Sequence, residues 1–251
     1  MCLINFSFQQ NSQYPFILIA NRDEYYKRPA EKLHWWLEEG IGIIAGKDQK
    51  DGGTWMGMNK KGEFAALTNY RDLHNIKKQA PSRGIIIKKF LNGEIPSDER
   101  MRYLKTQGKF FNGFNIIYGD SNQLFFYSNS NEQHKNIYPG IYGLSNAVLD
   151  TPWPKVIKSK KEFIAALDDI DNEDRFFEIF QNKNTAPENE LPDTGVSLEW
   201  EKKLSSIFIN TENYGTRLTT FVRISNKGNV LYREINYAPM HDIKFEFTIE
   251  Q

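Results

Sequence analysis

The order of predicted elements indicates an α+β fold in which two stacked, mainly antiparallel sheets are covered by helices. Apolar segments typical of strands occur in three sets, and two helical blocks separate these sets along the chain. Turn sequences such as Asn226-Lys227-Gly228 join neighbouring strands, as expected for hairpins. Elements in this order favour two packed sheets with helices outside. No repeat, low-complexity tract or linker interrupts the sequence, so we expect a single domain over residues 1–251.

The first set of strands begins at the amino terminus. Residues 2–8 alternate and are rich in Ile and Phe, which predicts a strand. Residues 16–20 are continuously apolar, which is typical of a strand buried on both faces. The two segments form a predicted hairpin, and the second strand ends at a charged tetrapeptide. After a loop that contains the bulky His34-Trp35-Trp36, further strands are expected at residues 41–45, 52–57 and 63–68.

The remaining elements follow from the same periodicities. Apolar residues at helical spacing predict helices at residues 83–92, 97–106, 151–168, 173–181 and 197–205. Short apolar or alternating runs predict strands at residues 114–118, 124–128, 137–144, 216–224, 230–236 and 244–249. The polar segment 182–196 holds two prolines and is expected to be an irregular loop.

The composition excludes several classes of protein. Lys and Arg together number 32, as do Asp and Glu, so the formal charge of zero gives no reason to expect nucleic acid or an anionic membrane as a partner. A single cysteine excludes an intrachain disulfide framework and a zinc site built from several cysteines. The four histidines are far apart in sequence and show no metal-ligand spacing. No stretch is apolar enough for a membrane span or a secretory signal, so a cytoplasmic protein is expected.

The candidate nucleophile is Cys2. If the initiator methionine is removed, Cys2 becomes the first residue and carries both a thiol and an α-amine. The reference pKa of that amine is about 7.7–8.0, so it can accept the thiol proton near neutral pH. One residue would then supply both nucleophile and base. A lone cysteine is otherwise a small, buried apolar residue, and that alternative stays open at this point.

Polar residues gather where predicted strands end or begin. Such clusters form sites when the strand ends meet at one rim, but each also has a purely structural explanation. The charged tetrapeptide would suit a salt-bridged surface turn, the asparagines would suit turns, and Arg217 would suit an exposed strand start. The four clusters are Asn21-Arg22-Asp23-Glu24, Thr68-Asn69-Tyr70-Arg71-Asp72, Ser145-Asn146 and Tyr214-Gly215-Thr216-Arg217.

These clusters, in this order, resemble the NRDE protein family, also called the Transport and Golgi organisation 2 family. The resemblance rests on four separate blocks and extends from Cys2 to about Ile224, with residues 73–112 and 171–204 as its weakest parts. The blocks are Ile19-Ala20-Asn21-Arg22-Asp23-Glu24, Gly53-Thr54-Trp55-Met56-Gly57 with Phe64 to Arg71, Gly143-Leu144-Ser145-Asn146-Ala147 with Asp150 to Lys155, and Tyr214-Gly215-Thr216-Arg217.

The resemblance implies an N-terminal nucleophile hydrolase fold, a four-layer α-β-β-α sandwich. The family is placed near the cysteine hydrolases that include penicillin V acylase and conjugated bile acid hydrolase. It implies that Cys2 is the nucleophile, that Asp23 holds its α-amine, and that Asn69 is the oxyanion-hole side chain. Asn146 would position the amine and the oxyanion region, and Arg217 would favour the thiolate. Supporting roles fall to Asn21, Arg22, Glu24, Tyr70 and Arg71.

One departure from the acylases concerns the arginine that precedes the aspartate. The acylases place it three residues before the aspartate, whereas here Ala20 occupies that position and Arg22 is adjacent to Asp23. Because adjacent strand residues point to opposite faces, Arg22 and Asp23 are not expected to face Cys2 together.

Two activities are consistent with the resemblance. The first is hydrolysis of a linear amide or acyl (thio)ester through an acyl-enzyme at Cys2, with no cofactor or metal. The second is non-enzymatic binding and trafficking of haem or of a lipid or acyl-CoA, with Trp35, Trp36 and Trp55 lining an apolar pocket. Cys2, His34 or His74 would then ligate haem iron. A purely structural role is the third alternative, and the oligomeric state is not predicted.

Overall fold

Two antiparallel sheets form the centre of the protein. The structure, a computed structural model, describes residues 2–37, 42–73 and 75–250, except for the side chain of Cys2. The strands of the six-stranded sheet, in spatial order, are β10 (Gly140–Leu144), β1 (Cys2–Phe8), β2 (Phe16–Tyr25), β11 (Tyr214–Ile224), β12 (Asn229–Tyr237) and β13 (Met240–Thr248). Those of the seven-stranded sheet are β3 (Ala30–Trp36), β4 (Ile43–Asp48), β5 (Met56–Asn59), β6 (Phe64–Asn69), β7 (Phe114–Gly119), β8 (Leu124–Ser128) and β9 (Gln133–Ile137).

Helices cover the outer face of each sheet. The seven-stranded sheet packs against α1 (Gly84–Leu91) and α2 (Arg100–Gln107), and the six-stranded sheet packs against α3 (Pro154–Ala166) and α4 (Glu173–Phe180). A short helix, α5 (Leu198–Leu204), lies farther along the chain. The layers are therefore helix, sheet, sheet, helix, as the resemblance implied. No helix in the described ranges has the length and apolar character that a membrane crossing needs.

Because side chains alternate along β1, this strand contributes residues to two hydrophobic cores, one on each face of its sheet. Ile4, Phe6 and Phe8 pack between the two sheets. Leu3 points the other way and joins the core beneath α3 and α4. A strand that alternates apolar residues on both faces is expected where each face is covered.

The structure extends β2 beyond the predicted end. Residues 21–24 continue the strand to Tyr25, so the charged tetrapeptide lies within the sheet rather than after it. The ladder persists because neighbouring strands satisfy both the backbone and the polar side chains. Asn21, for example, accepts a hydrogen bond from the Thr219 hydroxyl of β11 at 2.6 Å, and its amide donates to the carbonyl oxygens of Phe180 and Ile207 outside the sheet.

Two other strand predictions were wrong. Residues 30–36 form the edge strand β3 where a loop was expected, because a half-exposed edge strand shows little apolar periodicity. The single strand predicted at 137–144 is two strands in different sheets, β9 and β10. Pro139 lies between them, and its missing N–H cannot continue a ladder. The predicted strand at 41–45 matches β4 from Ile43, while Ile41 lies outside the described residues.

Candidate active site

The β1–β2 ladder brings the candidate nucleophile to the charged segment. The Cα atom of Cys2 pairs directly with that of Arg22, and Leu3 pairs with Asn21. On the other side of β2, Asp23 pairs with Thr216 of β11, immediately before an irregularity in the ladder at residues 216–218. Three consecutive strands therefore meet at Arg22 and Asp23.

Arg22 points between the two sheets. Its guanidinium carbon lies 4.0 Å from the ring centre of Trp55, which belongs to the connection between β4 and β5. Its Nη2 lies 3.4 Å from a carboxylate oxygen of Asp48. Arg22 is only 5% exposed, so its positive charge is held in a largely dry environment beside the backbone of Cys2.

Asp23 points away from the interface between the sheets. It is 1% exposed, and the Thr216 hydroxyl donates to its carboxylate at 2.6 Å. Burial raises the pKa of Asp23, while the ammonium of Lys155 and the Thr216 hydrogen bond oppose the rise. Lys155 is itself buried, in the first turn of α3. The sequence expectation that Arg22 and Asp23 occupy opposite faces agrees with this arrangement.

The two candidate asparagines are joined by a hydrogen bond. The side-chain amide of Asn146 donates to the backbone oxygen of Asn69 at 2.7 Å, and the backbone N–H of Arg71 donates to the backbone oxygen of Asn146 at 2.8 Å. Asn146 is buried, whereas Asn69 is partly exposed at the end of β6. The two hydrogen bonds therefore hold the backbone at Asn69 and Arg71 against Asn146.

Asp23, Arg22 and Asn69 line one cleft with a volume of about 320 Å³. Arg22 and Asn69 supply a guanidinium and a side-chain amide, groups that can stabilise a thiolate and donate to a developing oxyanion. The buried carboxylate of Asp23 lies on the other face of β2, next to Thr216. The other lining residues are mostly polar or charged: Glu24, Arg28, Asp48, Lys50, Asp51, Thr54, Trp55, Leu67, Ala80, Pro81, Ser82, Arg83, Gly84 and Asn112.

An ion cluster forms one wall of this cleft. Arg28 contacts Asp48 at 2.6 Å and Asp51 at 2.5 Å, which joins the β2–β3 connection to the end of β4 and to the β4–β5 connection. The Arg28 guanidinium and the N–H of Asp51 hold the pKa of Asp48 below its usual range, against the opposing effect of burial. Glu24 lies at the edge of the cluster, 3.9 Å from Arg28.

The start of α1 forms the opposite wall through a close backbone contact. The N–H of Thr54 donates to the carbonyl oxygen of Gly84 at 3.2 Å. A side chain at Gly53 would place its Cβ 2.5 Å from the carbonyl carbon of Gly84. Glycine is therefore required at residue 53 for the helix to approach the sheet this closely.

The remaining supporting residues have distinct surroundings. Arg71 is directed away from the cleft to Glu201, with Nη1 and the carboxylate oxygen 2.7 Å apart. Tyr70 donates its backbone N–H to Gly113. Arg217 donates to the backbone oxygens of Tyr25 and Arg28, at 3.1 and 2.8 Å, and so holds the β2–β3 connection.

The three tryptophans predicted to line a pocket are separated by the structure. Trp55 lines the cleft. Trp36 is 1% exposed in the core beneath α1 and donates to the carbonyl oxygen of Ala45, and Trp35 packs against Phe247 with ring centres 5.0 Å apart. Trp35 and Trp36 are therefore packing residues on opposite faces of β3.

Of the three candidate haem ligands, the structure describes only the side chain of His34. His34 lies on β3 with its ring 3.2 Å from the carboxylate of Glu31, and His74 lies outside the described residues. Within the described ranges, no group of three or more His, Cys, Asp and Glu side chains is arranged to hold a metal ion.

Several residues around the candidate site were not singled out from the sequence. Thr216 and Lys155 lie inside the motif blocks, and this was the only feature of the sequence that could have indicated a role for them in the site. Asp48 lies between the predicted strands 41–45 and 52–57, and Glu201 is 130 residues from its partner Arg71. No local pattern connects such distant charges.

Comparison with known proteins identifies relatives over the full chain. The chain is 30% identical over 273 residues to the Transport and Golgi organization protein 2 homolog of Bos taurus, covering 100% of this chain and 98% of that protein. It is 31% identical over 256 residues to the Homo sapiens homolog, covering 93% and 92%.

A solved structure shares the fold. A variant of conjugated bile acid hydrolase from Clostridium perfringens superposes with a TM-score of 0.50 at 9% identity, covering 100% of this chain and 97% of the hydrolase. The N-terminal nucleophile hydrolase fold implied by the motifs is therefore confirmed. The model of the family described as Transport and Golgi organisation 2 matches residues 1–239. The chain belongs to the Transport and Golgi organisation 2 family.

Proposed function

We propose that the protein is an N-terminal cysteine hydrolase that cleaves a linear amide or acyl (thio)ester bond. The observation that carries this proposal is the pairing of Cys2 with Arg22, next to Asp23, at a cleft that Asn69 also lines. The proposal requires removal of Met1, so that Cys2 carries a free α-amine. The shared fold with bile acid hydrolase supports the architecture that such chemistry uses.

The reaction would proceed in two halves at one residue. The α-amine of Cys2 accepts the thiol proton, and the thiolate attacks the substrate carbonyl carbon. The tetrahedral intermediate collapses to a thioester on Cys2 as the leaving amine or thiol takes the proton from the ammonium. A water molecule then loses a proton to the amine and attacks the thioester, which releases the acid and restores the thiol.

Neighbouring groups supply charge and orientation. The buried Arg22 guanidinium favours the thiolate, since an adjacent cation lowers a thiol pKa. The carboxylate of Asp23 holds the ammonium form of the α-amine. Asn69 donates to the developing oxyanion, a role in which one donor is typically worth about 2.7–4 kcal/mol of barrier.

The cleft limits the substrate to a small molecule. Its volume of about 320 Å³ is at the lower end of ligand pockets, and its lining is mainly polar. We therefore expect a short acyl group, a polar acyl group, or a longer acyl chain of which only the reacting end enters.

A substrate panel with one variant tests the proposal. Met1-free protein is incubated with N-acyl amino acids, acyl thioesters and simple amides of graded acyl length, and acid release is measured by mass spectrometry. Turnover that Cys2→Ala abolishes, with an unchanged circular dichroism spectrum, would support the proposal. Equal turnover in Cys2→Ala would sink it. Absence of turnover together with a Soret shift on haem titration would instead favour the trafficking alternative.

A further inference from the structure

We propose that Glu201 is a positioning residue for the oxyanion side of the cleft, acting on Asn69 through Arg71 and Asn146. The inference rests on the proposed hydrolase function, in which Asn69 donates to the oxyanion. Glu201 lies on α5, in the weakest part of the family resemblance, and does not line the cleft itself.

The first link is a buried ion pair. Nη1 of Arg71 lies 2.7 Å from a carboxylate oxygen of Glu201, and the two side chains are 5% and 4% exposed. The face of Trp153 lies against the Arg71 guanidinium, 5.0 Å from the ring centre. Thr194 donates both its backbone N–H, at 2.9 Å, and its hydroxyl to the second oxygen of Glu201. The carboxylate is therefore held on both oxygens, and it fixes the guanidinium.

The second link runs from Arg71 to Asn69 through the backbone. Arg71 donates its N–H to the carbonyl oxygen of Asn146 at 2.8 Å. Asn146 in turn donates its side-chain amide to the carbonyl oxygen of Asn69 at 2.7 Å. Two hydrogen bonds thus join segment 69–71 to Asn146, and the ion pair anchors the end of that segment to α5.

The anchor is needed because regular structure ends here. β6 stops at Asn69, and the described residues between 70 and 83 form no helix or strand before α1 begins. A buried, hydrogen-bonded Arg–carboxylate pair fixes geometry more tightly than an exposed one. Oxyanion donors must be placed to within a fraction of an ångström, so a loosened segment at Arg71 would misplace the Asn69 amide.

Two reagents with different transition states can isolate this effect. Acylation by p-nitrophenyl acetate passes through a tetrahedral oxyanion and transfers the acetyl group to the Cys2 sulfur with loss of p-nitrophenolate. Alkylation by iodoacetamide displaces iodide directly and forms no oxyanion. Because Cys2 is the only cysteine, both rates report on one thiol after the Cys2→Ala background is subtracted. The ratio of acylation to alkylation measures oxyanion stabilisation.

We expect Glu201→Gln to lower this ratio by about 10- to 100-fold, as a small misplacement near the reacting atoms does, while the alkylation rate stays unchanged. Glu199→Gln is the matched control, since Glu199 is exposed on the same helix, and its ratio should equal that of the unmodified chain. The inference would be overturned if the ratio is elevated in the unmodified chain and Glu201→Gln does not change it. The proposed function would still stand in that case.

Two further outcomes are decisive. If the ratio in the unmodified chain is no higher than that of a Cys-Leu-Ile-Asn peptide, the proposed function fails and the inference falls with it. If Glu201→Gln does not fold, the double variant Arg71→Met/Glu201→Met replaces the pair with apolar side chains, a change that buried ion pairs often tolerate. A selective loss of acylation in that double variant supports the inference, and an unchanged ratio overturns it.

Discussion

The Cα atoms of Cys2 and Arg22 lie directly opposite each other in the β1–β2 ladder. Adjacent to Arg22, Asp23 turns to the other face of the sheet, where the Thr216 hydroxyl donates to its carboxylate. A cation and a carboxylate thus lie on opposite faces of β2, next to the end of β1 that carries the candidate nucleophile. In the proposed reaction, the cation acts on the thiol and the carboxylate acts on the α-amine of the same residue.

Replacement of Arg22 should raise the pKa of the Cys2 thiol. In Met1-free protein, Arg22→Met removes a buried positive charge beside this residue, and a neighbouring opposite charge typically shifts a pKa by about 1–3 units. The pH midpoint of iodoacetamide alkylation should therefore move upward by about one unit or more.

The control for this prediction is Arg100→Met. Arg100 is also a buried arginine in an ion pair, 2.8 Å from Glu63. It lies on α2, which covers the seven-stranded sheet, whereas Arg22 lies in the six-stranded sheet. An upward shift of the same size in Arg100→Met, or an unchanged midpoint in Arg22→Met, would show that Arg22 does not act on the thiol.

Asp48 should stabilise the fold in a pH-dependent way. Its folded-state pKa is depressed, so its contribution is present above the unfolded pKa of about 4 and is lost as pH falls through the lower folded value. Asp48→Asn should lower the free energy of unfolding by about 1.5–3 kcal/mol at pH 7, the range of hydrogen bonds to charged groups. Urea unfolding at pH 7, 5 and 3 checks this: the difference should persist at pH 5 and shrink at pH 3. An equal difference at all three values contradicts it.

A methyl group at residue 53 should separate α1 from the sheet. Gly53→Ala would place Cβ 2.5 Å from the backbone of Gly84, and backbone cannot move aside as a flexible side chain does. We expect a loss of about 1–3 kcal/mol in the free energy of unfolding. In Gly140→Ala the nearest atoms belong to the Tyr142 side chain, so the loss should be smaller. Chemical denaturation of both variants compares them, and a greater loss in Gly140→Ala would refute the close-approach argument.

Replacement of Trp36 should lower the stability of the fold, whereas replacement of Trp55 should change the reactivity of the Cys2 thiol. Trp36→Ala empties a fully packed position and should lower the free energy of unfolding by about 3–5 kcal/mol, with little effect on the alkylation midpoint of folded protein. Trp55→Phe should shift that midpoint instead, because Arg22 rests on the Trp55 ring. Denaturation and alkylation profiles of both variants provide the measurement. A midpoint shift confined to Trp36→Ala would reverse the assignment.

Local patterns predicted those parts of the fold whose neighbours lie close in sequence. The strand over residues 2–8 and the helix that became α1 were located to within one residue at either end, because their periodicity is strong. The end of β2 was missed because polar residues 21–24 are held in the ladder by β11, almost 200 residues away. The crossing between sheets at Pro139 could not be inferred from a single apolar run.

The candidate site was predicted only in part, for the same reason. Motif blocks indicated Asp23, Asn69 and Asn146, and the structure places Asp23 and Asn69 at one cleft with Asn146 behind. The role of Arg217 in favouring the thiolate stays a prediction; in the structure its guanidinium donates to backbone oxygens of Tyr25 and Arg28. Ion pairs such as that between Arg71 and Glu201 depend on tertiary contacts, which no local sequence pattern indicates.

The most direct test of the account is the intact mass of freshly purified protein before and after a brief pulse of limiting iodoacetamide at neutral pH. The account predicts a mass that lacks Met1 and a single carbamidomethyl adduct that forms faster than on a free Cys-Leu-Ile-Asn peptide. Retention of Met1, or alkylation no faster than that of the peptide, would contradict an amino-terminal cysteine nucleophile.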